Sequence, residues 1–432
     1  EPRQELRLVE KRIAQAARSW GDDLKAALVE HFGEEPGLAH FSAWGGGFSA
    51  AYQADCSARQ AAYDIPRIAD AAKKQHLGIL LYRSSGTQTT EAQLKLFSPG
   101  DPVVLSDVLP MIENMGLRVV SERPYRVMAS DGAAVWIHIF NLLEGNGLSI
   151  DVDVRKHHFE QVFQHVWDGE ADNDGFNRLV LRAGLNWRET TLLRALYRYL
   201  RQIQFRYSQD YVIDTLAGNP RMTARIVSLF HARFDPDIDA DRAGLLKNAQ
   251  HEITVGLERV ASLDEDRILF GFFNLVESIV RTNYYQEHDD TQPARLSIKI
   301  ESQALARMPA PRPLYEIFVY SPRVEAIHLR AGKVARGGLR WSDRPEDFRT
   351  EVLGLVKAQI VKNAVIVPVG SKGGFIIRKP AMGAQEAEAN AAVDCYRTFI
   401  RGMLDITDNR KGDTIIPPER VVRHDDDDPY LV

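Results

Sequence analysis

A short apolar run that leads into a lysine between glycines constrains the fold of this chain most. Residues 364–369 are apolar and mostly β-branched, and they are followed by the sequence GSKGG, in which the lysine is Lys372. The run is too short for a helix, and its lack of alternation is typical of a strand buried on both faces of a parallel sheet. Ligands of such sheets bind at the carboxyl ends of the strands. The sequence therefore predicts that Lys372 lies in a ligand-binding turn after this strand.

Basic side chains surround this lysine in the sequence. Arg336 and Arg340 precede a helix predicted over residues 343–361, and Gln359 and Lys362 share one face at its end. Partial burial disfavours the charged form of an amine, so a lysine in this setting can exchange protons with an amine or a carbonyl. Arginine and lysine supply positive charge for carboxylates. These residues suit a substrate with one or two carboxylates and a reacting amine or carbonyl.

The glycines around this lysine do not form a known nucleotide-binding motif. Residues 370–374 lack the GxxxxGK[ST] spacing of a phosphate-binding loop. No GxGxxG follows a predicted strand, so we expect no dinucleotide site within these residues. A structural turn with a surface lysine is the alternative that the spacing alone leaves open.

Length and composition predict a multidomain globular protein. The 432 residues exceed the size of an ordinary domain, and 44% hydrophobic with 26% charged residues is typical of globular chains. The net charge of -5 gives no general attraction to nucleic acid or acidic membranes. No apolar run reaches the roughly 20 residues of a membrane helix. We expect a cytoplasmic protein with no nucleic-acid or membrane partner.

Cysteine and histidine spacing gives little indication of a metal site. Cys56 and Cys395 lie far apart and form no ligand pair, which is typical of a reduced protein. His157, Gln161 and His165 have a spacing that could present ligands on one face of a helix, but neither a cysteine nor a carboxylate completes the set. We expect no bound metal.

Apolar periodicity divides the chain into four parts and predicts a mixed α/β and α+β fold with several domains. Residues 1–76 have helical spacing, and residues 77–168 read as a ββαββα unit. This unit resembles the ACT regulatory domain, which binds amino acids or pairs with copies of itself; a purely structural α+β unit is the alternative. Residues 169–290 are predicted to be helical, with a buried helix over residues 270–285. Strands return in the last part, residues 293–432.

Two charged patterns have more than one interpretation. Arg194, Arg198 and Arg201 form a basic stripe on a predicted helix, which could follow a phosphate backbone. A solvated face, or one paired with acidic neighbours, is the interpretation that we favour. The four aspartates at residues 425–428 could bind a cation, but we expect a solvated acidic loop.

Long phrases around Lys372 resemble glutamate dehydrogenases, and most closely the large NAD-specific type of bacteria. ARGGLRWSDR, EDFRTEVLGLVKAQIVKNAVIVPVG and SKGGF carry the resemblance, and RTNYYQ at residues 281–286 and RHDDDDPYLV at residues 423–432 agree with it. The chain is similar to the middle of such a protein, with the catalytic domain beginning near residue 293. The resemblance implies oxidation of L-glutamate to 2-oxoglutarate and ammonia, with hydride transfer to NAD.

The resemblance also implies roles for individual residues. Lys372 matches the catalytic lysine of the family, and Lys362 matches the lysine that holds the substrate α-carboxylate. Arg336 stands where smaller glutamate dehydrogenases have a lysine for the side-chain carboxylate, so its assignment departs from their pattern. The implied substrate-binding residues are Lys362, Gln359, Arg336, Gly337, Gly338 and Gly373.

Other parts of such an enzyme do not appear before Val432. The family's catalytic aspartate and NAD-binding domain are absent from the sequence, so we expect the NAD site beyond Val432. The apolar end at residues 430–432 reads as the start of a buried strand, and we expect an inactive fragment of a homo-oligomer. One alternative function is a regulatory and oligomerisation scaffold whose ACT-like unit senses an amino-acid effector. Another is a dehydrogenase for an apolar amino acid.

Overall fold

The chain forms fourteen α-helices and twelve strands in the residues that its structure, a computed structural model, describes. It divides into two compact units, residues 1–164 and residues 165–432. No helix among the described residues is both long enough and apolar enough to cross a membrane. The described residues are 18–83, 90–145, 151–238, 241–287, 294–333, 336–362, 369–379 and 385–429.

The first unit combines helices with a four-stranded antiparallel sheet. Its strands lie in the order β1-β2-β4-β3, and the last residues of its final helix, from His165, belong to the second unit. The order of strands and helices from β1 onward is the predicted ββαββα. The elements are α1 (Trp20–Phe32), α2 (Glu34–Trp44), α3 (Ala50–Asp55), α4 (Ala58–Lys74), β1 (Gly78–Tyr82), β2 (Glu91–Pro99), α5 (Leu105–Asn114), β3 (Leu117–Met128), β4 (Ala134–Glu144) and α6 (Val152–Trp167).

The helices before this sheet share its core. Ile65 of α4 and Ile137 of β4 belong to one buried apolar cluster. Within it, Lys95 Nζ lies 2.6 Å from Asp64 Oδ2, and the Tyr52 hydroxyl donates to the same oxygen at 2.6 Å. These contacts compensate for the removal of two charges from water. Helices and sheet therefore form one compact unit, while the four-part division of the chain stays a prediction.

The second unit begins with helices and continues into a six-stranded sheet. The strand order is β5-β6-β7-β8-β10-β9, with a separate β11–β12 hairpin. The elements are α7 (Arg178–Ala183), α8 (Trp187–Gln202), α9 (Gln209–Gly218), α10 (Pro220–Phe234), α11 (Arg242–Leu257), α12 (Leu263–Ser278), β5 (Ile279–Thr282), β6 (Leu296–Glu301), β7 (Tyr315–Tyr320), β8 (Val324–Arg330), β9 (Arg336–Trp341), α13 (Phe348–Lys362), β10 (Gly370–Ile377), α14 (Gln385–Leu404), β11 (Asn409–Lys411) and β12 (Thr414–Ile416).

The pairing in this sheet corrects the expectation of a parallel sheet. β10 pairs with β8 in the antiparallel sense, and the β9–β10 pair is the parallel one among the described strands. Most of the predicted strand lies outside the described residues, and β10 begins at Gly370. Lys372 is therefore the third residue of a strand, and not part of a turn after one. The glycines lack side chains that would obstruct the neighbouring strands, so the GSKGG segment itself pairs.

The helix predicted over residues 270–285 is shorter than expected. α12 ends at Ser278, and the chain continues directly as β5, which pairs with β6. Ile279 and Val280 are β-branched residues, which fit a pleated strand better than a helix. The apolar character of the segment was correctly interpreted as burial, since all four residues of β5 are buried.

Helices cover both faces of the six-stranded sheet. On one face, α8 and α13 pack in a large apolar cluster with residues of β7, β8 and β10, namely Leu196, Tyr199, Phe318, Leu329, Val352 and Ile376. On the other face, α14 packs in a second cluster that includes Val319, Ala326, Phe375, Phe399 and Met403. Successive side chains of a strand point to opposite faces, so Phe375 and Ile376 enter different clusters. The result is a three-layer arrangement of helices, sheet and helix.

Candidate active site

The parallel strands β9 and β10 bring four of the predicted site residues together. Gly337 lies opposite Ser371, and Gly338 lies opposite Lys372. α13 connects the two strands and packs against β10. The residue after Lys372, Gly373, pairs with Leu339 of β9. Three glycines and a lysine therefore occupy neighbouring positions of one strand pair, although α13 and its flanking segments separate the two strands in sequence.

Two of these glycines are required by close packing. A Cβ atom on Gly337 would lie 1.5 Å from the carbonyl oxygen of Ser371, which is a backbone atom. A Cβ atom on Gly373 would lie 2.3 Å from Leu339 Cδ2 and 3.1 Å from Phe399 Cζ. Any side chain at Gly337 would push β9 away from β10, so this glycine sets the distance between the two strands.

Gly338 has a different environment. Among the described residues, a Cβ atom on Gly338 would meet only Lys372 Nζ within 4 Å, at 3.9 Å. Lys372 is half-buried and faces the α13 side of the sheet, as does Gly374, whose added Cβ would lie 2.5 Å from Val352. Within the described ranges the Lys372 ammonium has no carboxylate partner. Gly338 therefore leaves room for a small molecule next to a positive charge.

The remaining predicted site residues lie at the ends of these elements. Gln359 is half-buried in the last turn of α13, and Lys362 is the last residue of that helix. Arg336 is the first residue of β9. The side chains of Lys362 and Arg336 lie outside the described part of the structure. Lys357, one turn before Lys362, is exposed.

Arg340 forms an ion pair with a carboxylate of α13. Its Nε lies 3.1 Å from Glu351 Oε1 on α13, and Ser342 donates to the other oxygen of that carboxylate at 2.6 Å. Arg340 is about half exposed, with 55% of its side chain accessible. This ion pair connects α13 to the end of β9.

A buried ion pair that the sequence did not reveal fixes the start of α13. Arg349 Nε donates to Glu316 Oε2 of β7 at 2.9 Å, and Tyr199 of α8 donates to the same oxygen at 2.9 Å. Gln202 of α8 accepts a bond from the Arg349 backbone N–H at 3.2 Å and donates to the carbonyl of Pro345 at 3.0 Å. A single acidic residue within the apolar strand YEIFVY was the available signal.

Two buried polar atoms lie on the opposite face of the same strands. His328 Nε2 of β8 and Ser371 Oγ of β10 have no hydrogen-bond partner among the described residues. His328 pairs with Gly373 across the sheet. Burial, and then the neighbouring Arg330 guanidinium, lowers the pKa of His328 to about 4. This histidine is therefore neutral at physiological pH.

Four domain models of glutamate dehydrogenases match successive parts of the chain. The catalytic domain of bacterial NAD-glutamate dehydrogenase matches residues 252–432, and helical motif 3 of glutamate dehydrogenase matches residues 171–236. The ACT3 domain matches residues 76–155, and helical motif 2 matches residues 27–71. The order of helical, ACT-like, helical and catalytic regions is the predicted one.

Full-length relatives agree with these domain matches. NAD-specific glutamate dehydrogenases of Halomonas elongata, Pseudomonas aeruginosa and Mycobacterium tuberculosis are 49%, 44% and 42% identical to the chain. The alignments cover 99%, 98% and 97% of the chain. The chain belongs to the bacterial NAD-specific glutamate dehydrogenase family. It spans 26% of the length of each of these relatives.

Residues of RTNYYQ (281–286) and of the aspartate run (425–428), two segments that resemble glutamate dehydrogenases, are in contact in the structure. Arg281 of RTNYYQ is buried and lies 3.0 Å from Asp408, and its Nε donates to Asp425 of the aspartate run. Asp428 accepts bonds from Lys299 and from Arg330. The expectation of a solvated acidic loop was therefore wrong for these two aspartates.

Basic side chains of three strands pair with the aspartate run, which is why these aspartates are not solvated. Arg281, Lys299 and Arg330 come from β5, β6 and β8. Burial raises the pKa of Asp428, but bonds from Arg330 and Lys299 outweigh this effect and lower it overall. A cavity of about 410 Å³ lies beside the run, and its acidic residues already have basic partners, for example Asp426 with Lys333 at 2.7 Å.

The basic stripe of α8 is paired with acidic neighbours, as favoured from the sequence. Arg198 Nε lies 2.6 Å from Glu325, and Arg201 lies 3.0 Å from Glu346. Arg194 is fully buried, and its Nη2 lies 2.9 Å from Asp174. Arg198 and Arg201 thus connect the helical region with β8 and with the segment before α13, whereas Arg194 pairs within the helical region.

The histidines of α6 show local packing. His165 Nδ1 lies 2.7 Å from Glu170 Oε2, and its ring centroid lies 4.1 Å from that of Trp187. In the described part of the chain, no group of three or more His, Cys, Asp or Glu residues is arranged to hold a metal ion. His165 therefore takes part in a pair with a carboxylate.

The glycine-rich segments do not fit a dinucleotide site. Such a site places glycine N–H groups at the start of a helix that follows a parallel strand. Gly337 and Gly338 lie inside β9, and Gly373 lies inside β10, so their backbones face neighbouring strands. The segment between β9 and α13, residues 342–347, contains no glycine. Gly337, Gly338 and Gly373 therefore do not have the arrangement of a cradle for the NAD pyrophosphate.

Proposed function

We propose that β9, α13 and β10 form the substrate-binding part of an NAD-dependent glutamate dehydrogenase active site. The observation that carries this proposal is that Lys372 Nζ lies beside Gly338, 3.9 Å from the position of an added Cβ, with no other atom of the described residues within 4 Å of that position. Glutamate occupies this space, with its α-carboxylate at Lys362 and its side-chain carboxylate at Arg336. Gln359 hydrogen-bonds the bound substrate, and Gly337 and Gly373 keep the strands close enough to form the pocket.

Lys372 acts as the acid and base of this site. The hydride of the α-carbon would pass to NAD when it is bound, which leaves an imino acid, and a water molecule then attacks its α-carbon. Lys372 Nζ takes a proton from the attacking water as the C–O bond forms, and it returns the proton to the nitrogen before the C–N bond breaks. The neutral lysine then accepts the proton of the new hydroxyl group as the C=O bond forms and ammonia leaves. The products are 2-oxoglutarate and ammonia. Half-burial of the lysine supports this role, because a water-poor site strengthens its contacts with the reacting groups.

The NAD site belongs, in this proposal, to residues beyond Val432. Two observations support this placement. The chain spans 26% of the length of its relatives, and Gly337, Gly338 and Gly373 lie inside strands and not at the start of a helix. The whole enzyme is proposed to be a cytoplasmic homo-oligomer. Purified alone, the 432-residue chain should form no NADH from glutamate and NAD. Turnover by the chain alone would overturn the placement of the NAD site.

Substrate preference tests the dicarboxylate assignment. The enzyme for this test is a longer polypeptide, of the length of the relatives, that contains the 432 residues. Its kcat/KM is measured for glutamate and for norvaline, which lacks the second carboxylate. Removing one partner of a buried charge pair costs about 2–5 kcal/mol, so glutamate should be preferred by roughly 30-fold or more. Arg336→Met should reduce this preference. A preference for norvaline would favour the apolar amino-acid dehydrogenase instead.

The ACT-like unit supports a second function, the binding of an amino-acid effector. A cavity of about 300 Å³ lies on its sheet, where the β3–β4 register shifts between Val119 and Ser121. Asn141 lines it and donates to Ser121 Oγ at 2.8 Å. Calorimetric titration of the 432-residue chain with a panel of amino acids tests this function, with Asn141→Leu as the variant. No heat of binding across the panel would leave a structural role for the unit.

A further inference from the structure

A second cavity of about 310 Å³ lies in the helical region, away from Lys372. It opens between the end of α8, the segment that follows it, α12 and the segment after the 3₁₀ turn Ser302–Ala304. Leu200 and Leu305 are buried and form part of its lining, together with the half-buried Phe270. The volume is at the lower end of the range for small-molecule sites, and an apolar lining is typical of them.

The charges at this cavity all have one sign. Arg206, Arg267 and Arg307 line it, and among the described residues no aspartate or glutamate does so. Arg267 lies 3.3 Å from Asp264, which is outside the lining. Arg206 and Arg307 are exposed, and neither has an ion-pair partner within the part of the chain that the structure describes. A chain of net charge -5 thus presents three guanidinium groups at one concave surface, which concentrates anions there.

The walls of the cavity are held by side chains of α12. Asn274 donates to the carbonyl of Ala304 at 3.2 Å and accepts from the Ala306 N–H at 2.9 Å. These two bonds fix the backbone on both sides of Leu305, so the segment that carries Arg307 has a defined position. Preformed walls reduce the entropic cost of binding a ligand.

Two aromatic rings complete the lining. The ring centroids of Phe205 and Tyr207 lie 5.0 Å apart, and Tyr207 donates to Asp264 at 2.9 Å. A Cβ atom on Gly271 of α12 would lie 3.0 Å from Phe205 Cε2, so this glycine allows the ring to lie against the helix. Aromatic faces stack on planar groups, and guanidinium groups bind carboxylates and phosphates in a two-pronged fork.

We infer that this cavity binds an organic anion that joins a planar body to a phosphate or carboxylate group. The planar body lies against Phe205 and Phe270, and the anionic group lies between Arg206 and Arg307. Inorganic phosphate has the charge without the planar body, so it should bind much more weakly. This inference concerns binding alone and does not depend on the proposed dehydrogenase function.

Isothermal titration calorimetry on the 432-residue chain tests this inference with three probes. Adenosine 5′-monophosphate supplies a planar body with a phosphate, phenylpyruvate supplies one with a carboxylate, and inorganic phosphate supplies the charge alone. At least one organic probe should bind with a Kd below about 1 mM, and inorganic phosphate should bind at least about tenfold more weakly. If neither organic probe binds below about 1 mM, or if phosphate binds equally well, the inference is overturned.

Matched variants locate the binding. The double variant Arg206→Gln/Arg307→Gln should weaken binding of the organic probe at least about tenfold. Both arginines are exposed, so the unfolding midpoint should not change. Arg221→Gln is the control, because Arg221 is an exposed arginine of α10 in the same unit that does not line the cavity. Equal affinity in the double variant, or equal weakening by Arg221→Gln, would show that the anion binds elsewhere.

Discussion

Arg349 of α13 and Glu316 of β7 form a buried two-pronged ion pair, with Arg349 Nε donating to Glu316 Oε2 at 2.9 Å. Tyr199 of α8 donates to the same carboxylate. The contact joins the helical region, the sheet and the first turn of α13, whose last turn carries Gln359 and Lys362. The helical region therefore takes part in positioning the proposed substrate pocket, in addition to its own packing.

Arg349→Met should destabilise the chain strongly. The substitution leaves Glu316 buried without its charge partner, and breaking a buried pair in this way costs about 3–5 kcal/mol. The free energy of unfolding in urea gives the value. Arg344→Met is the control, because Arg344 pairs with Asp347 on the surface and the loss of such a pair costs at most about 1 kcal/mol. Equal losses in the two variants would contradict the anchoring role of Arg349.

Gly337→Ala should separate β9 from β10. Its Cβ would lie 1.5 Å from the Ser371 carbonyl oxygen, and a backbone atom cannot move aside as a side chain can. We expect a loss of about 3 kcal/mol or more in the free energy of unfolding, at the upper end of overpacking effects. Gly354→Ala in α13 is the control, because nothing lies within 4 Å of that added Cβ. There alanine should stabilise the helix by up to about 1 kcal/mol.

Gly338→Ala should affect activity more than stability. Among the described residues the new methyl group meets only Lys372 Nζ, at 3.9 Å, so the fold should tolerate it within about 1 kcal/mol. The methyl group occupies the space that we assign to glutamate, and one extra carbon in a pocket changes kcat/KM by roughly 10–200-fold. Steady-state kinetics in a polypeptide of the relatives' length measures this loss. Unchanged kcat/KM would move the substrate away from Gly338.

A local sequence pattern predicts secondary structure, but it does not predict which strands pair. Alternating apolar residues predicted the ββαββα unit, since the period of a strand is visible in a few consecutive residues. The sequence predicts a turn at GSKGG, because glycine favours tight turns, yet glycine also occurs in strands where another backbone approaches closely. Its partners Leu329 and Gly338 come from other strands, and nothing local specifies them.

Charged residues were the least predictable part of the site. Asp425 and Asp428 had the appearance of a solvated run, yet their partners Arg281 and Lys299 lie more than 120 residues earlier in the chain. Glu316 of β7 is likewise paired with Arg349, which lies on α13 and not at a neighbouring position of the sequence. An ion pair between distant segments leaves no period in the sequence, so a local pattern cannot predict it.

His328 should make stability depend on pH between about 4 and 6.5. Its pKa is lowered to about 4 in the folded chain, so in this range the unfolded chain binds a proton that the folded chain does not. Stability therefore falls as pH decreases through this window, by up to roughly 3 kcal/mol from this group. His328→Phe should show a smaller decrease than the wild type in urea unfolding at pH 7 and pH 4.5. His251→Gln, at an exposed histidine, should follow the wild type.

The catalytic role of Lys372 can be measured directly in a polypeptide of the relatives' length, by following NADH formation from glutamate and NAD. Lys372→Ala should lower kcat by roughly 100-fold to 10,000-fold, the contribution of a positioned acid and base, while the Kd for NAD changes little. Lys357→Ala, at an exposed lysine of α13, should keep the kcat of the wild type. A wild-type kcat in Lys372→Ala would contradict the proposed active site.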